Sequence, residues 1–144
     1  MDDQPVKKEI LPRDSRADLL RRIALISYVA LFILIFSWYS ALVTDPVFPR
    51  SISMIILLGP LIFPIRGILY GKAYTHAWAG LLMVIYICHG VVLAVGDTTI
   101  ERSVGWVETL LALSFVLSSA FYAKREGQRL GLSIRKKKKK KKKK

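Results

Sequence analysis

The chain has 144 residues, of which 53% are hydrophobic, and carries a formal net charge of +13. Together these exclude an ordinary soluble domain, because the two properties are segregated: charge gathers at both ends and apolar residues fill the middle in long blocks. The single cysteine, Cys88, excludes a disulfide within the chain and, lying in an apolar run, reads as a buried structural thiol.

Residues 1–22 hold six Lys or Arg and five Asp or Glu, with Pro5 and Pro12 breaking any early helix. They read as a solvated tail in which Ser15 can cap a short helix ending on Arg21 and Arg22. The first apolar run starts too late and runs too long for a cleavable signal peptide, so it is expected to stay in the mature protein. It covers residues 23–43, 21 uncharged positions, about 31 Å at ~1.5 Å per residue and enough for a ~30 Å hydrocarbon core. Ser37, Trp38, Tyr39 and Ser40 near its far end read as an interfacial belt, and Asp45, Pro46 and Pro49 as the turn that follows.

The second run is short, with 15 residues between Arg50 and Arg66, about 22 Å. To cross a bilayer it must borrow length: Arg50 and Arg66 snorkel outward and Val47 and Phe48 join the span, giving about 47–65. Gly59-Pro60 and Pro64 predict a kink, with a re-entrant helix as the alternative. Residues 66–76 form a connector to the third span, about 77–95, which takes Thr75 as its N-cap, Trp78 as an interfacial anchor and His89 inside it. Gly96-Asp97 stops that span. After a short loop the fourth span runs over about 104–123, with Glu108 near its start. Beyond it the chain turns basic at Lys124, Arg125 and Arg129, Gly127 and Gly131 weaken helix continuation, and residues 136–144 are all lysine. A like-charge block of that kind cannot pack, so 124–144 read as a disordered basic tail.

The expected fold is therefore all-α: an integral membrane protein with four transmembrane helices in a domain over residues 23–123, flanked by a tail at each end. Alternate segments carry 21 basic residues on one side and 2 on the other. The positive-inside rule then puts both termini and the 66–76 connector in the cytoplasm, and leaving out the oligolysine does not change the sign.

Motifs exclude more than they assign. The chain has no HExxH or paired CxxC, no Walker loop and no GxSxG elbow, so no catalytic residue is assigned and neither metal nor cofactor is expected. His76 and His89 lie 13 positions apart, too far along one helix to share a metal. What remains is polar chemistry in two places. The connector gathers Arg66, Tyr74, Thr75, His76 and Trp78 into a candidate polar cluster at the membrane surface. Within the apolar runs, His89 and Glu108 are ionisable groups that are costly to leave unpaired in lipid. Their spans are antiparallel, which sets His89 opposite residue 110 and within a turn of Glu108. His89 shares a stripe with Trp78, Leu82, Ile85 and Val92, and Glu108 one with Ala112, Phe115, Ser119 and Tyr122, so the two stripes are expected to meet. Lys124, Arg125 and Arg129 sit where anionic lipid headgroups would meet them, and membrane adjacency favours lipid over nucleic acid as their partner.

One stretch resembles a known family. The run Leu61-Ile62-Phe63-Pro64-Ile65-Arg66-Gly67-Ile68-Leu69, then Gly71-Lys72-Ala73-Tyr74-Thr75-His76-Ala77-Trp78, Tyr86, His89-Gly90 and Glu108, is similar to short bacterial membrane proteins grouped as domain of unknown function 2069. The resemblance covers roughly residues 20–127 and implies four spans in a bacterial inner membrane, but no activity, since the family has none assigned.

The functional reading that follows is a non-enzymatic accessory or scaffold protein that binds a partner or lipid through its 66–76 connector. The alternative is a small transporter, a homodimer because four spans enclose little room, in which His89 and Glu108 handle protons or a cationic solute. An enzyme comes third, since no nucleophile with an adjacent base is visible.

Overall fold

The structure, a computed structural model, describes residues 14–43 and 49–130. Expectations for the first part of the N-terminal tail, for Asp45 and Pro46, for the borrowed Val47 and Phe48 and for the oligolysine end lie outside the described residues.

Helix α1, Ser15–Ser37, opens at Asp14, which is extended and whose carboxylate accepts from the Arg16 N–H at 3.3 Å. The cap is thus Asp14 rather than Ser15, because an aspartate one position earlier already satisfies a free N–H of the first turn. The helix is not a separate short one either, since it runs unbroken into the first apolar span. At Trp38–Leu42 the winding loosens to a π-helix, closed by the Val43 N–H on the Trp38 carbonyl at 3.0 Å. Part of the expected belt faces inward, three and four positions after the buried Ile35: Trp38 is 4% exposed and Tyr39 is half-buried, while Ser40 is exposed.

Helix α2, Arg50–Ile62, continues through Gly59 and Pro60 and breaks at Phe63 and Pro64, after which α3, Ile65–Leu69, resumes. The span is therefore kinked, and it reaches 20 residues by adding α3 at one end. A proline cannot donate, and helix ends leave carbonyls without partners, which is expensive in an apolar setting. The Tyr28 hydroxyl meets this need at the Leu61 carbonyl in the last turn of α2, and the Tyr86 hydroxyl donates to the Leu57 carbonyl one turn earlier, at 2.5 Å.

Helix α4, Ala73–Ala94, starts earlier than expected, with an extended Lys72 as a cap that makes no side-chain bond. Gly71, at φ +65, takes the left-handed turn that lets the chain reverse three residues before Thr75. Thr75 is consequently not the cap. It lies buried in the first turn against Gly67, where a Cβ would come within 2.5 Å of Thr75 Cγ2.

Helix α5, Thr99–Arg129, has 31 residues, against the expected 104–123. A capping box starts it: Thr98 Oγ1 accepts from the Glu101 N–H at 3.2 Å and Glu101 Oε2 accepts from the Thr98 N–H at 3.1 Å. At the other end ion pairs outweigh Gly127. Arg129 holds Glu126 at 2.5 Å on the same helix, and Arg125 holds Asp14 at 2.5 Å on α1.

The four long segments, counting α2 with α3, are each long and apolar enough to cross a membrane. Helix α1 runs antiparallel to α2 and α5 and parallel to α4, as the Arg125–Asp14, Tyr28–Leu61 and His89–Glu108 contacts require. Their shared interior is apolar, with Leu31, Ile35, Met83, Tyr86 and Phe115 at its centre. Large apolar side chains such as Ile26, Ile55, Leu81 and Val92 cover the outside, as in a surface solvated by lipid. Cys88 belongs to that outer surface and is exposed, which corrects the expectation of a buried thiol.

Candidate functional site

Polar chemistry collects at the two ends of α4. At the far end, near the α1–α2 and α4–α5 turns, the backbones of α4 and α5 come together at two glycines. A Cβ on Gly90 would lie 2.6 Å from Thr109 Oγ1, and one on Gly105 would lie 2.5 Å from the Gly90 carbonyl oxygen. With no side chains between the helices, the neighbouring residues His89 and Glu108 face each other. His89 Nδ1 stands 2.8 and 3.0 Å from the two Glu108 carboxylate oxygens. Glu108 is 1% exposed and the His89 side chain 20%. The other ring nitrogen, Nε2, lies 2.9 Å from the Tyr39 hydroxyl, which sits four positions after the buried Ile35 on α1. Three helices thus meet in a hydrogen-bonded chain, Tyr39–His89–Glu108, and every ring nitrogen and carboxylate oxygen in it has a partner.

The stripe expected for α4 is displaced. Its buried face runs through His76, Ala79, Met83, Tyr86 and Gly90, with His89 at the edge; Ile85 and Val92 face outward. The stripe on α5 is buried throughout from Glu108 to Tyr122 and continues to Glu126.

At the opposite end, where the α3–α4 connector lies, the expected polar cluster divides in two. Arg66 and Tyr74 face outward, Tyr74 being 81% exposed. The Arg66 guanidinium sits 5.9 Å over the Tyr70 ring, and Trp78 packs edge-on against Phe63 at 5.7 Å. Thr75 and His76 turn inward. His76 is fully buried, its Nδ1–H donating to the Lys72 carbonyl at 3.1 Å and its ring 4.6 Å from that of Tyr122. The connector backbone is tied down from two sides. Arg21 Nη2 donates to the Leu69 carbonyl at 2.6 Å, and the Tyr122 hydroxyl donates to the Gly71 carbonyl at 2.7 Å. Gly71 has no room for a side chain between them, since a Cβ would lie 2.9 Å from Arg21 Nε and 3.1 Å from the Tyr122 oxygen.

Of the basic residues after the fourth apolar run, Lys124 is exposed, whereas Arg125 and Arg129 are held by Asp14 and Glu126. Sequence reasoning missed Tyr39 as the partner of His89 and Arg21 as a donor to the connector backbone. Both lie at the ends of the first span, where an aromatic and an arginine read as interfacial residues; only Tyr122, on the stripe headed by Glu108, carried a signal.

A family model described as Predicted membrane protein (DUF2069) matches residues 23–127. No curated protein and no solved structure matches the chain.

Proposed function

We propose that this chain, which belongs to the DUF2069 family of predicted membrane proteins, is a non-enzymatic accessory protein of the bacterial inner membrane that engages anionic lipid headgroups through its cytoplasmic connector. One observation supports the reading. The connector is braced from inside by Arg21 and Tyr122, while Arg66, Tyr70, Lys72 and Tyr74 are all exposed on its outer side. A fixed backbone that presents cations beside aromatic rings suits a negatively charged interface, because the rings settle at headgroup level and the cations need not be ordered on binding.

Each cation near an anionic leaflet contributes on the order of 1 kcal/mol. Replacing both Arg66 and Lys72 by alanine is therefore expected to cost about 2 kcal/mol, a roughly 30-fold loss of preference for anionic over zwitterionic lipid. The measurement is lipid retention on the purified full chain, extracted from vesicles of mixed phosphatidylglycerol and phosphatidylcholine and read by native mass spectrometry. Equal retention of both lipids by the unaltered chain would reject the reading.

A further inference from the structure

We infer that Arg21, His76 and Ser119 hold an ordered water molecule beneath the connector, bound by three helices at once. The inference starts from three buried polar atoms, Arg21 Nε, His76 Nε2 and Ser119 Oγ, that have no hydrogen-bond partner among the described residues. They come one each from α1, α4 and α5, and the first two belong to side chains already engaged through another nitrogen. Arg21 Nη2 donates to the Leu69 carbonyl at 2.6 Å, and His76 Nδ1–H donates to the Lys72 carbonyl at 3.1 Å.

Those bonds bring the unpaired atoms to one place. Leu69 and Lys72 bracket the left-handed turn at Gly71, and between them the Tyr122 hydroxyl grips the Gly71 carbonyl at 2.7 Å. Successive Cα atoms are about 3.8 Å apart, so α1, α4 and α5 all grip carbonyls within one short stretch of chain. Arg21 Nε and the Tyr122 oxygen flank the same point, 2.9 and 3.1 Å from where a Cβ on Gly71 would stand, and the His76 ring lies 4.6 Å from the Tyr122 ring. Ser119 is three positions before Tyr122 on the same buried face of α5. Arg21 and His76 are tied to opposite ends of the turn rather than to each other, which leaves Nε and Nε2 for a third group to bridge.

The chemistry of the three atoms selects that group. Arg21 Nε–H can only donate; with Nδ1–H on a carbonyl, Nε2 of a neutral imidazole can only accept; a serine hydroxyl does either. An anion would suit Arg21 but meet the lone pair of Nε2, and a cation would be repelled by the guanidinium. A neutral molecule that both accepts and donates serves all three, and a buried water makes about three hydrogen bonds to groups of this kind. Leaving the same groups unpaired in an apolar interior is expensive. His76 and Ser119 are fully buried, so the water belongs to the fold and not to the headgroup layer. This goes beyond lipid binding on the outer side of the connector and does not depend on it.

The test is hydroxyl-radical labelling by X-ray radiolysis of the full chain in lipid nanodiscs, in which a bound water is itself the radical source for the side chains around it. His76 and Tyr122 are expected to be oxidised although both are fully buried, while Tyr86, equally buried but committed to the Leu57 carbonyl, is expected to take several-fold less label. A radical scavenger confined to bulk solution is expected to suppress labelling of the exposed Tyr74 and to spare that of His76. In His76→Phe, which keeps a ring and removes the acceptor, and in Ser119→Ala, labelling of Tyr122 is expected to fall several-fold. No more label on His76 than on Tyr86, suppression of His76 in parallel with Tyr74, or Tyr122 labelling unchanged in both variants would each overturn the bound water. Should His76→Phe fail to fold, the unaltered chain and Ser119→Ala still decide. The water is read by labelling and the lipid reading by retention, so either can fail without the other.

Discussion

Gly105 shows how much a single residue can control here. Its α-hydrogens face the backbone of α4, and a methyl group would lie 2.5 Å from the Gly90 carbonyl oxygen, well inside van der Waals contact. Gly105→Val must therefore push α4 and α5 apart. Overpacking of that kind costs roughly 1–3 kcal/mol, and it falls three residues from Glu108, so the His89–Glu108 contact should lengthen with it. In a Cys88→Ala background, cysteines at 89 and 108 are expected to crosslink rapidly with a short reagent when Gly105 is present and at least several-fold more slowly in Gly105→Val. Equal rates would show that the glycine pair does not set the spacing. Gly90→Ala is obstructed as well, since its methyl group would lie 2.6 Å from Thr109 Oγ1 and 2.9 Å from both the Gly105 carbonyl oxygen and the Thr109 nitrogen, so it too should slow the crosslink.

At the scale of elements, α2 is held to the bundle by hydrogen bonds as well as packing. Its break at Phe63 and Pro64 leaves carbonyls of the last turn without helical donors, and Tyr28 from α1 supplies a hydroxyl to Leu61, while Tyr86 from α4 adds one to Leu57 within the helix. Tyr28→Phe keeps the ring and its contact with Phe115, 5.5 Å between centroids, but leaves a buried carbonyl without a donor, at a cost of about 1–3 kcal/mol. Unfolding of the reconstituted chain in mixed micelles should register that loss, and Tyr86→Phe a smaller one, because Leu57 lies inside the helix. No change in Tyr28→Phe would mean that the Leu61 carbonyl finds another donor. The kink itself was legible, because Pro64 acts through the backbone it belongs to. The two tyrosines were not, since nothing in the sequence says which distant hydroxyl reaches a freed carbonyl. The α5 stripe was legible because Glu108, Ser119 and Tyr122 mark one face of an otherwise apolar helix. On α4, apolar residues lie all round and give no contrast, so the inner face was placed about one position away. Thr75 looked like a cap because Thr is a good one, yet it was Gly71 and Lys72 that turned the chain. Tyr39 lies four positions after Ile35, on the side of α1 that buries Tyr28, Leu31 and Ile35, but its place near the end of the span made it read as interfacial.

For the molecule as a whole, the two ends treat their arginines differently. At the end away from the connector, Arg50 and Arg102 spend their guanidinium groups on helix-terminal carbonyls, at 2.8 Å on Val43 and 3.1 Å on Gly96 and Asp97. These are C-caps, and they serve the fold whichever side they face. At the connector end Arg22, Arg66, Lys72 and Lys124 are exposed. The connector end commits arginines too, Arg21 to the Leu69 carbonyl and Arg125 and Arg129 to Asp14 and Glu126, but with 21 basic residues against 2 it alone has exposed cations left uncommitted among the described residues. The positive-inside rule would put the connector end in the cytoplasm and the Tyr39–His89–Glu108 centre in the outer half. A reporter active only in the cytoplasm should accordingly be active when fused after Lys72 and silent when fused at Asp97. Replacing Arg50 and Arg102 by glutamine should leave that pattern intact while lowering stability, since the carbonyls lose charged donors but the basic end is untouched. Activity at Asp97 with silence at Lys72 would invert the arrangement, and with it the side of the membrane on which the Tyr39–His89–Glu108 centre lies.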